Sequence, residues 1–83
     1  MRQSVKPKGV CSKRIDIEIE DGLIWRVDFE GGCHGNLQGL ARLAEGREPK
    51  EVIRLLKGIK CGDKKTSCPD QLARALKKSL EKK

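Results

Sequence analysis

The feature that most constrains the fold is a pair of alternating runs that flank an Asp-Gly pair. The run 15–19 alternates isoleucines with acidic residues, and the run 23–29 has an apolar residue at every odd position. A period of two is typical of β-strands with one buried face. Asp21-Gly22 favours a tight turn between the runs, because glycine readily takes a positive φ. The sequence therefore predicts an antiparallel hairpin.

The same alternation limits the register of this hairpin. The apolar residues of both runs are odd-numbered, so partners that share one face must have an even sum. A two-residue loop gives an odd sum and would place Ile17 opposite Arg26, whereas a three-residue loop with a bulge gives an even sum. We therefore expect a three-residue connection and one clean apolar face that includes Leu23, Trp25 and Val27.

Three helices are predicted after the hairpin. Apolar residues at helical spacing indicate a first helix capped by Asn36, a second that Pro49 opens, and a third capped by Ser67. Gly46 and Gly58 end the first two. The expected fold class is α+β: a two-stranded antiparallel hairpin followed by three helices packed on its apolar face, in the order ββααα.

The length of 83 residues fits one domain. Residues 1–9 are interpreted as a basic, flexible lead-in, and residues 10–83 as the domain. The chain has one Trp, one Phe and no Tyr, so its core must be aliphatic. A domain of this size has a marginal core that a metal or a cross-link would help, and a complete enzyme with its own cofactor pocket is not expected.

The net charge of +7 is unevenly distributed along the chain. Residues 1–14 carry five bases and no acid, whereas residues 15–35 carry six acids and one base. Such a field could attract an acidic partner, a nucleotide or a nucleic acid. A solvated lysine-rich surface explains the same charge, and nucleic-acid modules usually add aromatic stacking residues that are scarce here.

The expected location is the cytoplasm. No stretch reaches the roughly 18 apolar residues of a membrane span, and the first residues lack the apolar core of a signal peptide. Thiols stay reduced in that compartment. Four cysteines therefore indicate metal ligands or redox groups before they indicate structural disulfides.

The cysteines lie where predicted elements begin and end. Cys33 follows the second strand, Cys61 follows the second helix and Cys68 stands at the start of the third helix. A cysteine kept for packing would more often fall inside an apolar stripe. If the first strand starts early enough, Cys11 shares the parity of the buried face of the hairpin, which would bring it near Cys33. We expect all four thiols at the end of the hairpin opposite its turn.

Several thiol chemistries fit these positions. Four thiolates could close a tetrahedral zinc site, with His34 as a possible extra ligand. No Cys-x-x-Cys pair is present, so a redox dithiol formed by Cys61 and Cys68, or plain buried thiols, also remain open. No pair of carboxylates stands out as a general acid and base, and no catalytic residue is predicted.

A glycine-rich connection is expected between the second strand and the first helix. Gly32, Gly35 and Asn36 could form an anion-binding turn, because backbone N–H groups are unpaired at a helix start. A tight strand-to-helix connection explains the same residues. Neither a Walker pattern nor a complete GxGxxG is present.

Three segments together resemble the TSCPD domain family. Residues 66–70 read Thr-Ser-Cys-Pro-Asp, and they are joined by the glycine-rich segment 31–37 and by the segment 56–62 around Cys61. The resemblance covers about Val10 to Leu80. Similar modules form a C-terminal part of adenosylcobalamin-dependent ribonucleotide reductases, and short members with four cysteines stand alone.

The resemblance implies a small accessory or regulatory module linked to ribonucleotide reduction. Its cysteines would bind a metal or relay reducing equivalents, and its partner would be a larger protein such as a ribonucleotide reductase. The same resemblance would suggest the label of a ribonucleoside-diphosphate reductase. Nothing in the chain matches the catalytic barrel of that enzyme, so full activity is not expected of these residues alone.

Overall fold

The computed structural model describes residues 2–7, 9–10, 12–32 and 34–81, and of His34 it describes the backbone. The class is α+β, as predicted, with three strands followed by three helices. In chain order the elements are β1 (Arg2–Val5), β2 (Ser12–Glu20), β3 (Leu23–Gly31), α1 (His34–Ala44), α2 (Pro49–Leu56) and α3 (Cys68–Glu81).

The sheet has three antiparallel strands, so the prediction of a two-stranded hairpin was wrong. The additional strand, β1, comes from the N-terminal lead-in and pairs Gln3 with Ile17 and Val5 with Ile15. The strand order is β1-β2-β3, which makes β2 central. A four-residue segment without apolar alternation carries no strand signal of its own. It is held by its ladder to β2 and by the Ser79 hydroxyl of α3, which donates to Gln3 Oε1.

The turn between β2 and β3 has two residues and not the predicted three. Asp21 and Gly22 both have positive φ, 54° and 76°, which is the conformation of a type I′ hairpin turn. Glu20 faces Leu23 and Ile19 faces Ile24 beside it. The pairs next to the turn therefore have the odd sum that a two-residue loop requires.

A β-bulge restores the even register farther along the hairpin. The pairing shifts by one residue between Glu18 and Ile19, which leaves Trp25 as the extra residue of β3. Beyond the bulge Ile17 faces Val27, a pair with the even sum that the alternation predicted. The bulge reverses the burial near the turn, since Ile24 is 1% exposed and Trp25 is 67% exposed. The expected burial of Trp25, and of Leu23, which is 42% exposed, was wrong for this reason.

The starts of α2 and α3 follow local sequence signals closely, whereas the start of α1 does not. Pro49 opens α2, and the backbone N–H of Asp70 donates to Ser67 Oγ at 3.2 Å, which confirms Ser67 as the cap of α3. The first helix begins at His34, so Asn36 lies inside its first turn and not at its cap.

The core lies between the sheet and the helices. α1 packs against β3, α3 packs against β2, and α2 packs mainly against α3. The core is aliphatic, as predicted, and each fully buried Ile or Leu contributes about 1.5–3 kcal/mol. Its largest members are Ile15, Ile17, Ile24, Val27, Leu72 and Leu76. Among the described residues, no helix is long and apolar enough to cross a membrane.

Candidate thiol site

Cys68 is the first residue of α3 and is buried against the start of β2. Its Sγ lies 3.4 Å from the hydroxyl oxygen of Ser12, which is itself 3% exposed. Ser12 pairs with Gly31 at the end of β3. The first residue of one strand, the last residue of the next and the first turn of α3 therefore meet at the end of the sheet opposite the hairpin turn.

Two of the predicted site residues lie outside the described residues. Cys11 directly precedes Ser12 in the chain, and Cys33 comes two residues after Gly31. The described neighbours of both cysteines, Ser12 and Gly31, are paired with each other. Their expected convergence with Cys68 stays a prediction.

Cys61 lies on the connection between α2 and α3 and is exposed. Its backbone N–H donates to the carbonyl oxygen of Thr66 at 3.2 Å, and its own carbonyl accepts the N–H of Lys64 at 3.0 Å. These bonds fold the loop back on itself. The backbone of Cys61 is thereby held against the residue that lies two positions before Cys68.

Asp70 ties this loop to the first turn of α3. The carboxylate is 3% exposed and accepts the N–H of Gly58 at 2.7 Å on Oδ1. Its other oxygen accepts the hydroxyl of Thr66 at 2.5 Å, and the guanidinium Nε of Arg74 lies 3.0 Å from the same oxygen. One side chain therefore binds the end of α2, the loop and the next turn of α3.

These partners set the protonation of Asp70. Burial alone would raise the pKa of its carboxyl group, but the hydrogen bonds from Thr66 and Gly58 and the charge of Arg74 outweigh burial. The pKa of Asp70 is therefore held below its ordinary value. The carboxylate is ionised at neutral pH and keeps its full capacity to accept hydrogen bonds.

Ser67 and Gln71 complete the attachment of the loop. Ser67 Oγ donates to the carbonyl oxygen of Ile59 at 2.7 Å, and Gln71 Nε2 donates to the hydroxyl of Thr66 at 2.9 Å. The segment 66–71 thus holds the loop through Thr66, Ser67 and Asp70, between the exposed Cys61 and the buried Cys68 in the chain.

A family model described as the TSCPD domain matches residues 1–80. The chain belongs to the TSCPD domain family. The match includes the N-terminal strand β1, which the resemblance read from the sequence left out. No curated protein and no solved structure matches the chain.

Each residue of the motif 66–70 has its own structural role in this TSCPD domain. Thr66 and Asp70 attach the loop, Ser67 caps the helix, and Pro69 occupies the first turn, where its missing N–H costs nothing. Cys68 is the residue of the motif whose side chain points to the start of β2. The motif therefore builds a fixed helix start that presents one thiol.

The glycine-rich connection before α1 is shorter than predicted, because the helix already begins at His34. Gly32 lies in the connection with a φ of 77°, but Gly35 and Asn36 are exposed residues of the first turn of α1. The side chain of His34 is not among the described groups. Anion binding here, and a ligand role for His34, stay predictions.

No group of three or more His, Cys, Asp or Glu side chains that could hold a metal occurs among the described residues. That part of the chain contains two of the four cysteines, Cys61 and Cys68. The described thiols alone therefore do not make a complete metal site.

Sequence reasoning missed three residues that shape this end of the TSCPD domain. Ser12 contacts Cys68, Gly9 packs against Thr66, and Asp70 holds the loop. A signal existed for Asp70, because Ser67 and Asp70 have the spacing of a capping box. No local signal existed for Ser12 or Gly9, whose partners lie more than fifty residues away.

Proposed function

We propose that this TSCPD domain is a small accessory module whose four cysteines form one site. The observation that carries the proposal is the 3.4 Å contact between Ser12 and Cys68, beside the pairing of Ser12 with Gly31. Ser12 directly follows Cys11 and Gly31 lies two residues before Cys33, so described residues near two of the other cysteines meet close to Cys68. The members of the site would be Cys11, Cys33, Cys61 and Cys68.

Zinc is the metal that such a donor set suits best. Zinc favours four thiolates in tetrahedral geometry, and structural zinc sites commonly stabilise small domains with marginal cores. The hydrogen bonds of the loop around Cys61 support this proposal, because a fixed backbone reduces the entropy lost on metal binding. His34 is the alternative ligand if one cysteine takes no part.

Metal analysis of protein purified without chelators tests the proposal. We expect about one equivalent of zinc, and four thiols that react with a thiol reagent only after the zinc is removed. Single Cys→Ser variants at the four positions should each lose most of the zinc. Asp63→Asn, an exposed carboxylate in the same loop, is the matched control and should keep it.

A metal-free protein with four reactive thiols would overturn the zinc proposal. Retention of zinc in Cys11→Ser alone would instead remove Cys11 from the ligand set and point to His34. A His34→Ala variant then distinguishes the two, because only a ligand substitution should release the metal.

The exposure of Cys61 beside the buried Cys68 favours a second candidate, a thiol redox shuttle. In this reaction Cys61 and Cys68 lose their two protons and form an S–S bond. The two electrons reduce a disulfide of a partner protein to two thiols. A reversible Cys61–Cys68 disulfide, found by mass spectrometry in metal-free protein, would support this candidate, and its absence after mild oxidation would exclude it.

The family membership supports a proposed place in ribonucleotide reduction. We propose a cytoplasmic module that binds a larger protein, with a ribonucleotide reductase as the first candidate and a nucleotide as a possible ligand. Binding to purified reductase by isothermal titration calorimetry, and the effect of the module on reductase turnover, test this. No binding and no change in turnover would remove the reductase from consideration.

A further inference from the structure

The end of the domain that carries Cys68 also collects lysines from distant parts of the chain. A Cβ atom added at Gly9 would lie 3.3 Å from Thr66 Cγ2, so the β1–β2 connection lies against the α2–α3 connection. Ser12 and Cys68 are in contact directly beside it. Two segments that are separated by about fifty residues therefore form one surface.

We call this surface the lysine end and define it by six exposed lysines. In the described residues 6–7, 9–10, 12–14 and 57–67, Asp63 is the one acidic residue. The nearby Arg14 and Arg74 form ion pairs with acidic residues and are not counted. The six are Lys6, Lys13, Lys57, Lys60, Lys64 and Lys65.

We infer that the lysine end binds the phosphate backbone of a double-stranded nucleic acid. Each lysine can neutralise a phosphate and release a condensed counterion, which is the main source of non-specific affinity for duplexes. Lysine is a point charge without the planar fork of arginine, so the surface is suited to contacts with phosphates.

The described segments of the lysine end lack aromatic residues, and this favours a duplex over a single strand as the ligand. Binding of single strands usually relies on aromatic side chains on which the bases stack. The described segments of the lysine end contain no aromatic residue, and Trp25 lies near the hairpin turn at the opposite end of the sheet. A duplex needs no stacking platform, because its bases are already stacked.

An acidic polypeptide is the less favoured partner. A duplex carries one negative charge per about 1.7 Å of its axis, a density that yields a larger counterion release than a flexible acidic chain. The lysine end is proposed independently of the thiol site, since it depends on the exposed side chains and not on what the cysteines hold.

Fluorescence anisotropy with a labelled DNA duplex of about 20 base pairs tests the inference over a series of salt concentrations. The test variant neutralises the loop with Lys60→Gln, Lys64→Gln and Lys65→Gln. The control variant makes the same change in net charge at the exposed helix positions Lys50, Lys77 and Lys78. Lys50 lies beside the hairpin turn, away from the lysine end. Circular dichroism and thermal unfolding verify that both variants are folded.

We expect the loop variant to bind the duplex roughly tenfold or more weakly, with a salt slope smaller by about 2 to 3. The control variant should change affinity by less than about threefold. Equal weakening by both variants would overturn the inference, because it would show a response to net charge alone. Tighter binding of a single strand of the same length, displacement of the duplex by lower concentrations of polyglutamate, or no binding at about 0.1 M salt would also overturn it.

Discussion

Asp70 accepts the backbone N–H of Gly58 at 2.7 Å, which joins the first turn of α3 to the end of α2. The same carboxylate accepts the hydroxyl of Thr66 and pairs with Arg74. A backbone N–H at the end of a helix needs an acceptor when it is removed from water. This bond therefore gives Asp70 a structural role in this chain and helps to hold the loop with Cys61 in place.

Asp70→Asn should lower the free energy of unfolding by about 1–3 kcal/mol. The amide removes the charge that pairs with Arg74 and places a donor where Thr66 needs an acceptor. Urea denaturation followed by circular dichroism measures the change. Asp63→Asn is the matched control and should change stability by less than about 0.5 kcal/mol, because Asp63 is exposed. Equal stability of the two variants would contradict the attachment role of Asp70.

Acid should remove the contribution of Asp70. The pKa of its carboxyl group is lower in the folded protein than its ordinary value of 3.8, so the unfolded chain binds more protons in this range. The stabilisation is then complete above about pH 5 and is lost as pH falls below about 4, through the folded pKa. The stability difference between wild type and Asp70→Asn, measured by urea denaturation from pH 7 to pH 2.5, should shrink in that window. A difference that stays constant would show that ionisation is not its source.

Gly9→Ala should destabilise the protein more than Gly62→Ala. Both glycines have positive φ, 75° and 59°, so each substitution costs about 1 kcal/mol of backbone strain. Only at Gly9 would the added Cβ meet a close neighbour, Thr66 Cγ2 at 3.3 Å. Thermal unfolding of the two variants measures the additional cost. Equal melting temperatures would mean that the β1–β2 connection does not press on Thr66.

Because of the bulge, Ile24 should contribute far more to the stability of the fold than its neighbour Trp25. Ile24→Ala should cost about 2–4 kcal/mol, because Ile24 is fully buried, whereas Trp25→Ala should cost less than about 1 kcal/mol. A regular strand with the register expected from the alternation would give the reverse order. Chemical denaturation of both variants distinguishes these two arrangements.

The positions of the two described thiols relative to the helices were predictable, but their contacts were not. The boundary positions of Cys61 and Cys68 follow from helix signals such as Ser67 and Pro69, which act over a few residues. The contact between Cys68 and Ser12 joins residues 56 positions apart, and local sequence patterns carry no information on such a pair. The exposed placement of Trp25 was missed for a related reason, since a bulge depends on how two strands fit together.

The sequence by itself determined the α+β class, the hairpin, the three helices and the family. These follow from periodicity, turn residues and caps, which are set by interactions among near neighbours. The tertiary structure alone decided that the N-terminal residues add a third strand and that Asp70 attaches the loop of Cys61. It also decided that the β1–β2 and α2–α3 connections, which both carry lysines, lie against each other. Those features depend on backbone hydrogen bonds and buried polar contacts that exist only once the sheet and α3 have packed together.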